Sequence, residues 1–213
     1  MLYMPEYEEG SYEYNFLKRI SKSTDLAETV KYGLPDDKNF LCSALVFRPE
    51  VFKFFSDKYK DDEELVMEAI YWNPFMLKFV SYRLRSNEDV VLKALEKSYD
   101  GRVFEFASKN LRDDENFVAR IVVKYPRSFE FATERLRDDK EYVRDLIPTT
   151  YGKITLYVSD RLKKDPDIIK MASWYDIDLK EEFPELFPDE EEDIKGHSKR
   201  LSLFKRKPRR KEL

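Results

Sequence analysis

Apolar residues recur along this chain with the spacing of a helix, in units of about 25 residues. Counted from the start of each unit, the seventh, eighth, eleventh and twelfth positions are apolar; in the first unit they are Phe40, Leu41, Ala44 and Leu45. Side chains at this spacing share one stripe of an α-helix, whereas a strand would alternate between apolar and polar positions. The pattern therefore predicts one amphipathic helix in every unit.

The units begin at copies of a short segment that reads Leu-Arg-Asp-Asp in its clearest form, at Leu111 and again at Leu136. They cover residues 34–58, 59–83, 84–110, 111–135 and 136–161, with a partial copy at 162–187. One unit is too short to bury its own apolar faces, so successive units must stack. The expected fold is all-α, an α-solenoid of about five to six two-helix repeats.

Two local signals mark where helices begin within a unit. The paired acids precede the first apolar stripe, and an Asp there caps a helix. The register stays open, because Asp61-x-x-Glu64 also fits a capping box one residue earlier. Pro49, Pro74 and Pro126 precede a second stripe, and proline is well tolerated at the first helical position. Each unit is therefore predicted to be a pair of short antiparallel helices.

The two ends of the chain differ from the repeats. Residues 1–33 contain a degenerate apolar pattern closed by Gly33, which predicts N-terminal capping helices. Residues 188–213 contain an acidic run, 189–193, followed by a stretch rich in Lys and Arg. Such a composition rarely buries enough apolar surface to fold, so we expect a disordered tail.

The unit L-[RK]-D-D-x-x-[VF]-V-x-x-A-[LIV], followed by an aromatic-rich F-x-F-A-S-x-R ending, resembles the helical repeat named domain of unknown function 4116. The resemblance covers residues 34–161 well and residues 162–183 weakly. It departs from the pattern at Thr149-Thr150 and at residues 176–178. The resemblance implies a helical interaction module without assigned chemistry, so it transfers no functional residues to this chain.

Composition narrows the class of protein further. The chain has 213 residues with 39 Lys and Arg against 43 Asp and Glu. No apolar run approaches the roughly 18 residues that a membrane span needs, and residues 1–10 lack the order of a secretory signal. A single cysteine, Cys42, excludes an internal disulfide framework. We expect a cytoplasmic protein, or a nuclear one if the host is eukaryotic, that does not associate with membranes.

The residues offer little catalytic chemistry. The one histidine, His197, lies in the charged tail, and Cys42 follows a core leucine with no histidine nearby. The paired acids recur at helix starts, where capping explains them better than metal binding does. Phosphate-binding glycine loops and CxxC pairs are absent from the sequence. We expect no enzyme activity, no catalytic or metal-binding residues and no cofactor.

Basic residues form two candidate anion-binding or nucleic-acid-binding sets. One lies at the unit junctions and comprises Arg83, Arg85, Arg112, Arg135 and Arg137. The other lies in the tail and comprises Lys205, Arg206, Lys207, Arg209, Arg210 and Lys211. The junction set is interpreted first as local ion pairs, because acidic residues adjoin it and residues 1–194 carry a net charge of −12. The tail fits either a nucleic-acid patch or a solubilising segment.

Aromatic residues form the candidate protein-binding surface. Phe47 and Trp72 occupy the same repeat position, Tyr71 adjoins Trp72, and all three lie off the main apolar stripe. They are predicted either to anchor a partner or to pack between repeats. The preferred function is a protein-protein interaction module with an unidentified protein partner. The alternative is a nucleic-acid-associated protein that uses the tail and the junction arginines.

Overall fold

A computed structural model describes residues 7–188, and throughout that range the regular structure is helical. No strand occurs among these residues. The predicted disorder of the tail falls on residues that lie outside the described range, apart from residue 188. The chain divides into two compact units, with the boundary between Asp139 and Lys140.

The described part of the first unit, residues 7–139, contains ten α-helices. Their bounds are α1 Tyr12–Lys22, α2 Leu26–Thr29, α3 Lys38–Phe47, α4 Asp57–Lys60, α5 Glu63–Trp72, α6 Tyr82–Arg85, α7 Glu88–Ser98, α8 Lys109–Arg112, α9 Glu115–Val122 and α10 Glu134–Arg137. Four 3₁₀ helices lie between them, at Pro49–Phe54, Pro74–Phe79, Arg102–Phe106 and Pro126–Phe131.

The described part of the second unit continues the same order of elements. It contains α11 Lys140–Thr149, α12 Asp160–Lys163, α13 Pro166–Ser173 and α14 Leu179–Glu182. Its 3₁₀ helices are Lys153–Leu156 and Pro184–Leu186. Within this unit α11 packs against α13, and α13 contacts the 3₁₀ helix Lys153–Leu156.

Each repeat consists of three helical segments, so the prediction of two helices is wrong in this respect. A long α-helix is followed by a 3₁₀ helix and then by a one-turn α-helix, for example α5, Pro74–Phe79 and α6. Met76 and Leu77 are buried in this 3₁₀ helix, and Val80, which ends it, is buried three residues after Leu77, in keeping with the three residues per turn of a 3₁₀ helix. A Ser or Thr precedes the one-turn helix as its N-cap. The boundaries between units predicted from the sequence, such as that between residues 83 and 84, fall within these one-turn helices.

The second residue of three acidic pairs, Asp37, Asp62 and Asp114, caps the long helix that follows it, which resolves the open register at these helices. Asp37 accepts a hydrogen bond from the backbone N–H of Phe40 at 2.7 Å. Asp114 accepts one from Phe117 at 2.8 Å. The same geometry recurs at three other helix starts, with Asp62, Asn87 and Asp165 as caps. These side chains satisfy backbone donors that have no partner within the helix.

The predicted apolar stripe forms the core. Phe40, Leu65, Val90 and Phe117, the first stripe residues of successive repeats, are each at most 1% exposed. In the first unit α3 packs against α5, α5 packs against α7, and the successive 3₁₀ helices contact one another. The N-terminal helix α1 packs on α3, with the ring of Phe16 stacked on that of Phe40 at 5.6 Å. Each repeat in this series buries its apolar side chains against the next one.

Candidate interaction surface

Two large aromatic side chains are exposed at the C-terminal end of α5. Tyr71 is 50% exposed and Trp72 is 44% exposed. Their rings are perpendicular, with centroids 5.0 Å apart. The indole N–H of Trp72 donates to Glu68 at 2.7 Å, and the ammonium group of Lys97 lies 3.8 Å from the ring centroid of Tyr71. These contacts restrain both rings while leaving about half of their surface open to solvent.

A third exposed aromatic residue, Phe75, follows at the start of the next 3₁₀ helix. It is 39% exposed, and its ring lies 6.4 Å from that of Phe106 in an edge-to-face arrangement. Proline at position 74 starts this helix, and Met76 and Leu77 face the core. We call Tyr71, Trp72 and Phe75 the aromatic cluster. The sequence reasoning missed Phe75, although its place outside the buried spacing of Leu77 and Val80 was a usable signal.

Phe47 holds the same repeat position as Trp72 but differs in exposure. It is the last residue of α3 and is partly buried, whereas Tyr71 and Trp72 are exposed. The three predicted partner-binding residues therefore divide into an exposed pair and a partly packed side chain. The protein-binding role assigned to them stays a prediction.

The junction arginines Arg83 and Arg135 join consecutive repeats through the first residue of each acidic pair. The Nε of Arg83 donates to the carboxylate of Asp61 at 3.0 Å, and its Nη2 donates to the Asp61 carbonyl at 2.8 Å. Arg135 repeats both contacts with Asp113, at 3.0 Å and 2.7 Å. We call each arrangement a repeat clasp. At the equivalent position Lys58 forms an ion pair with Asp36 at 2.6 Å.

Hydroxyl groups complete the two clasps. The side chain of Ser81 donates to Asp61, and that of Thr133 donates to Asp113. The Ser81 hydroxyl and the Arg83 guanidinium together hold the pKa of Asp61 below its usual value. The pKa of Asp113 is lowered in the same way, first by Thr133 and then by Arg135. A carboxylate that accepts such bonds is stabilised in its ionised form.

The other three junction arginines are directed at backbone carbonyls. Arg85 donates to the carbonyls of Val80 at 3.1 Å and Phe106 at 3.4 Å. Arg112 donates to Phe131 at 3.1 Å. Arg137 donates to the carbonyl of Glu130 and forms an ion pair with Glu134 at 2.6 Å. All five junction arginines thus have partners within the chain, whereas the tail set Lys205–Lys211 lies outside the described residues.

Cys42 and the acidic side chains are the described residues that a thiol or metal site would use. Burial, followed by the charges of Glu68 and Glu64, raises the pKa of the Cys42 thiol and so disfavours the reactive thiolate. Among residues 7–188 no group of three or more His, Cys, Asp or Glu side chains is placed to hold a metal ion. Within the same range no helix has the length and apolar character needed to cross a bilayer.

Comparison with known proteins identifies one family. A family model described as domain of unknown function (DUF4116) matches three overlapping segments, residues 37–85, 71–112 and 87–137. The overlaps reflect the tandem repeats of the first unit. No curated protein and no solved structure matches the chain.

Proposed function

Residues 37–137 belong to the family described as domain of unknown function (DUF4116), and from this premise we propose that the chain is a non-enzymatic helical-repeat protein that binds a protein partner. Its repeats stack as an α-solenoid, and the aromatic cluster forms the centre of the binding surface. The stacking is supported by the contacts of α3 with α5 and of α5 with α7. Stacked repeats commonly present extended surfaces to protein partners.

The observation that carries this proposal is that two exposed rings, Tyr71 and Trp72, contact each other at the end of α5, with the exposed Phe75 three residues further on. By contrast, the 3₁₀ helices of the first, third and fourth repeats each contain a ring with no exposed surface, namely Phe52, Phe104 and Phe129. Part of the apolar surface of the aromatic cluster therefore stays in contact with water after folding, which is unfavourable. Exposed Trp and Tyr side chains that are already held by neighbours lose little further freedom on binding, and these residue types dominate binding hot spots.

A non-enzymatic role is supported by what the acidic and basic side chains do. The paired acids cap helices and accept the repeat clasps, as Asp61 and Asp62 do. The junction arginines are engaged with carboxylates and carbonyls of the same chain. Neither set is left as a free cluster in the first unit. The aromatic cluster is therefore a better candidate for recognition of a protein partner than the junction arginines are.

The test is affinity capture from the native host with the full chain as bait. The Tyr71→Ala/Trp72→Ala variant is expected to lose about 30-fold or more of partner binding, because truncation of a hot-spot residue costs at least about 2 kcal/mol. Trp174→Ala is the matched control, since Trp174 is 63% exposed and lies outside the cluster. Thermal melts must show that both variants remain folded. Equal capture by the two variants would refute the assignment of the surface.

A further inference from the structure

A cavity opens at the first repeat junction, within the first unit. It has a volume of about 490 Å³ and is lined by residues 33–36, by Leu41 of α3 and by residues 54–56, 58 and 59. We call this cavity the junction pocket. Its volume lies within the range of ligand sites, which are about 300–1,000 Å³. No residue of the aromatic cluster lines it.

The later junctions show which backbone hydrogen bond is missing at this place. At three of them the N–H of a Ser or Thr donates to the carbonyl of a basic residue, in each case at 2.9 Å: Ser81 to Lys60, Ser108 to Arg85 and Thr133 to Arg112. Ser56 and Pro35 hold the same repeat positions. No hydrogen bond joins these two residues in the described part of the chain. The N–H of Ser56 therefore lacks the partner that the repeat provides elsewhere.

The hydroxyl group of Ser56 is unpaired as well. In both repeat clasps the hydroxyl at this position donates to the clasp carboxylate. Ser56 forms no such bond within residues 7–188, and its side chain does not cap α4. Asp36 is bonded instead to Lys58 and Tyr59. Because Ser56 is exposed, its two donors are hydrated and can bind an acceptor on a ligand.

The junction pocket also leaves apolar surface open that later repeats bury. Leu84, Leu111 and Leu136 hold one repeat position and are each at most 7% exposed. Leu34 holds the same position but is only partly buried, as is Phe54 on the pocket lining. An apolar side chain of leucine size would remove this surface from water, which is favourable.

A basic side chain is missing from the first junction too. Arg112 donates to the carbonyl of Phe131 at 3.1 Å, and Arg85 makes the same kind of bond. Phe54 holds the repeat position of Phe131. Pro35 stands in place of the arginine, and its side chain has no donor for the carbonyl of Phe54.

The charges around the junction pocket balance. Three acidic and three basic residues line it or adjoin its lining in sequence: Asp36, Asp37, Asp57, Lys53, Lys58 and Lys60. Net charge therefore favours neither an anion nor a cation, and recognition rests on hydrogen bonds and apolar contact. The later junctions supply the model for both, because a leucine followed by arginine fills the equivalent place there.

We propose that the junction pocket binds a peptide segment of a protein partner in which leucine is followed by arginine or lysine. The leucine side chain fills the apolar part of the pocket. The backbone carbonyl of the basic residue accepts from the N–H of Ser56, and its side chain donates to the carbonyl of Phe54. This is a second site, at the start of α3 and α4, whereas the aromatic cluster lies at the end of α5.

Ser56→Pro tests the unpaired N–H without any ligand. Ser56 has a φ of −66° and Phe55 before it has a ψ of 152°, and both values suit proline at position 56. Ser56→Pro should therefore unfold at a urea concentration at least as high as Ser56→Ala does. Ser81→Pro has matching backbone geometry but loses the bond to Lys60, so it should unfold at clearly lower urea than Ser81→Ala. Equal destabilisation at the two positions would overturn the proposal.

Fluorescence anisotropy with the full chain measures peptide binding. The probe is a labelled peptide, Ser-Lys-Asn-Leu-Arg-Asp-Asp, which has the sequence of residues 108–114. Ser56→Pro should bind it about fivefold more weakly than Ser56→Ala, because only the proline variant lacks the N–H donor. No binding by the unmodified chain, or equal binding by the two variants, would refute the site.

Two altered peptides separate the parts of the assignment. Serine in place of the leucine should weaken binding about tenfold or more, because the apolar contact is lost. Glutamine in place of the arginine should weaken it about threefold or more. If the serine peptide binds as well as the probe, the pocket does not take a leucine and the proposal fails. If the glutamine peptide does, the assignment of the basic residue fails. None of these measurements depends on the aromatic cluster.

Discussion

Asp61 and Arg83 lie 22 positions apart and are joined twice, once through the carboxylate and once through the Asp61 carbonyl. Asp113 and Arg135 repeat this double contact at the same separation. In each case a backbone hydrogen bond lies beside the double contact. The carbonyl of Lys60 accepts from the backbone N–H of Ser81 at 2.9 Å, and the carbonyl of Arg112 accepts from that of Thr133 at 2.9 Å. The first residue of each of these acidic pairs therefore joins consecutive repeats, while the second starts a helix.

The repeat clasps predict how stability depends on pH. The pKa of Asp61 and that of Asp113 are below their usual value of 3.8 in the folded chain. The unfolded chain therefore binds more protons, and the stabilisation is fully present above the unfolded pKa. It is lost as pH falls through the folded-state pKa, below 3.8. Urea unfolding between pH 6 and pH 3, values chosen about two units above and one below the unfolded pKa, measures this loss.

The variant Asp61→Asn/Asp113→Asn provides the comparison. It is expected to be less stable than the unmodified chain at neutral pH and to lose less stability on acidification, since two of the titrating groups are gone. Glu63→Gln is a suitable control, because it neutralises an exposed acidic residue outside the clasps. A double variant with an unchanged pH dependence would show that the clasps do not couple folding to protonation.

Removal of a helix cap should destabilise the first unit by a predictable amount. Asp114→Ala leaves the backbone N–H of Phe117 without its acceptor at the start of α9. We expect a loss of about 1 kcal/mol in the free energy of unfolding, as for other N-cap residues. Asp114→Asn keeps an accepting oxygen and should cost much less. Urea denaturation of both variants measures the difference, and equal losses would point to charge rather than capping.

Gly101 is predicted to tolerate no side chain. Its φ is +82°, and a Cβ atom would lie 2.8 Å from the backbone nitrogen of Ser128 in the next repeat. We expect Gly101→Ala to cost about 2–4 kcal/mol, from left-handed strain and displacement of that backbone. Gly33→Ala is the matched control, since its φ is +94° with no atom near the Cβ position. It should show the strain alone, about 1–2 kcal/mol.

The buried and exposed aromatic residues should respond differently to truncation. Phe104 is fully buried in the third repeat, so Phe104→Ala should cost about 3–5 kcal/mol of unfolding free energy. Phe75 lies in the preceding 3₁₀ helix and is 39% exposed. Phe75→Ala should cost about 1 kcal/mol or less, because much of its surface is already hydrated. Thermal or urea unfolding of the two variants distinguishes the core from the aromatic cluster.

Several features were predictable because their causes are local in sequence. The apolar stripe of Phe40, Leu41, Ala44 and Leu45 needs only the period of a helix. Helix capping is also local, because the capping residue and the N–H that it accepts are three positions apart, as Asp37 and Phe40 are. The 3₁₀ conformation of Pro74–Phe79 was not predicted. A proline-led apolar run starts either kind of helix, and the choice follows from which residues face the neighbouring repeats.

The sequence by itself determined the repeat length, the position of the long helices and the buried face of each, because capping and apolar periodicity act over a few residues. Tertiary structure alone decided which carboxylate each arginine meets, since the packing of consecutive repeats brings Arg83 to Asp61 from 22 positions away. It also decided the exposure of Phe75. Such contacts depend on how separate elements pack, which local spacing does not specify.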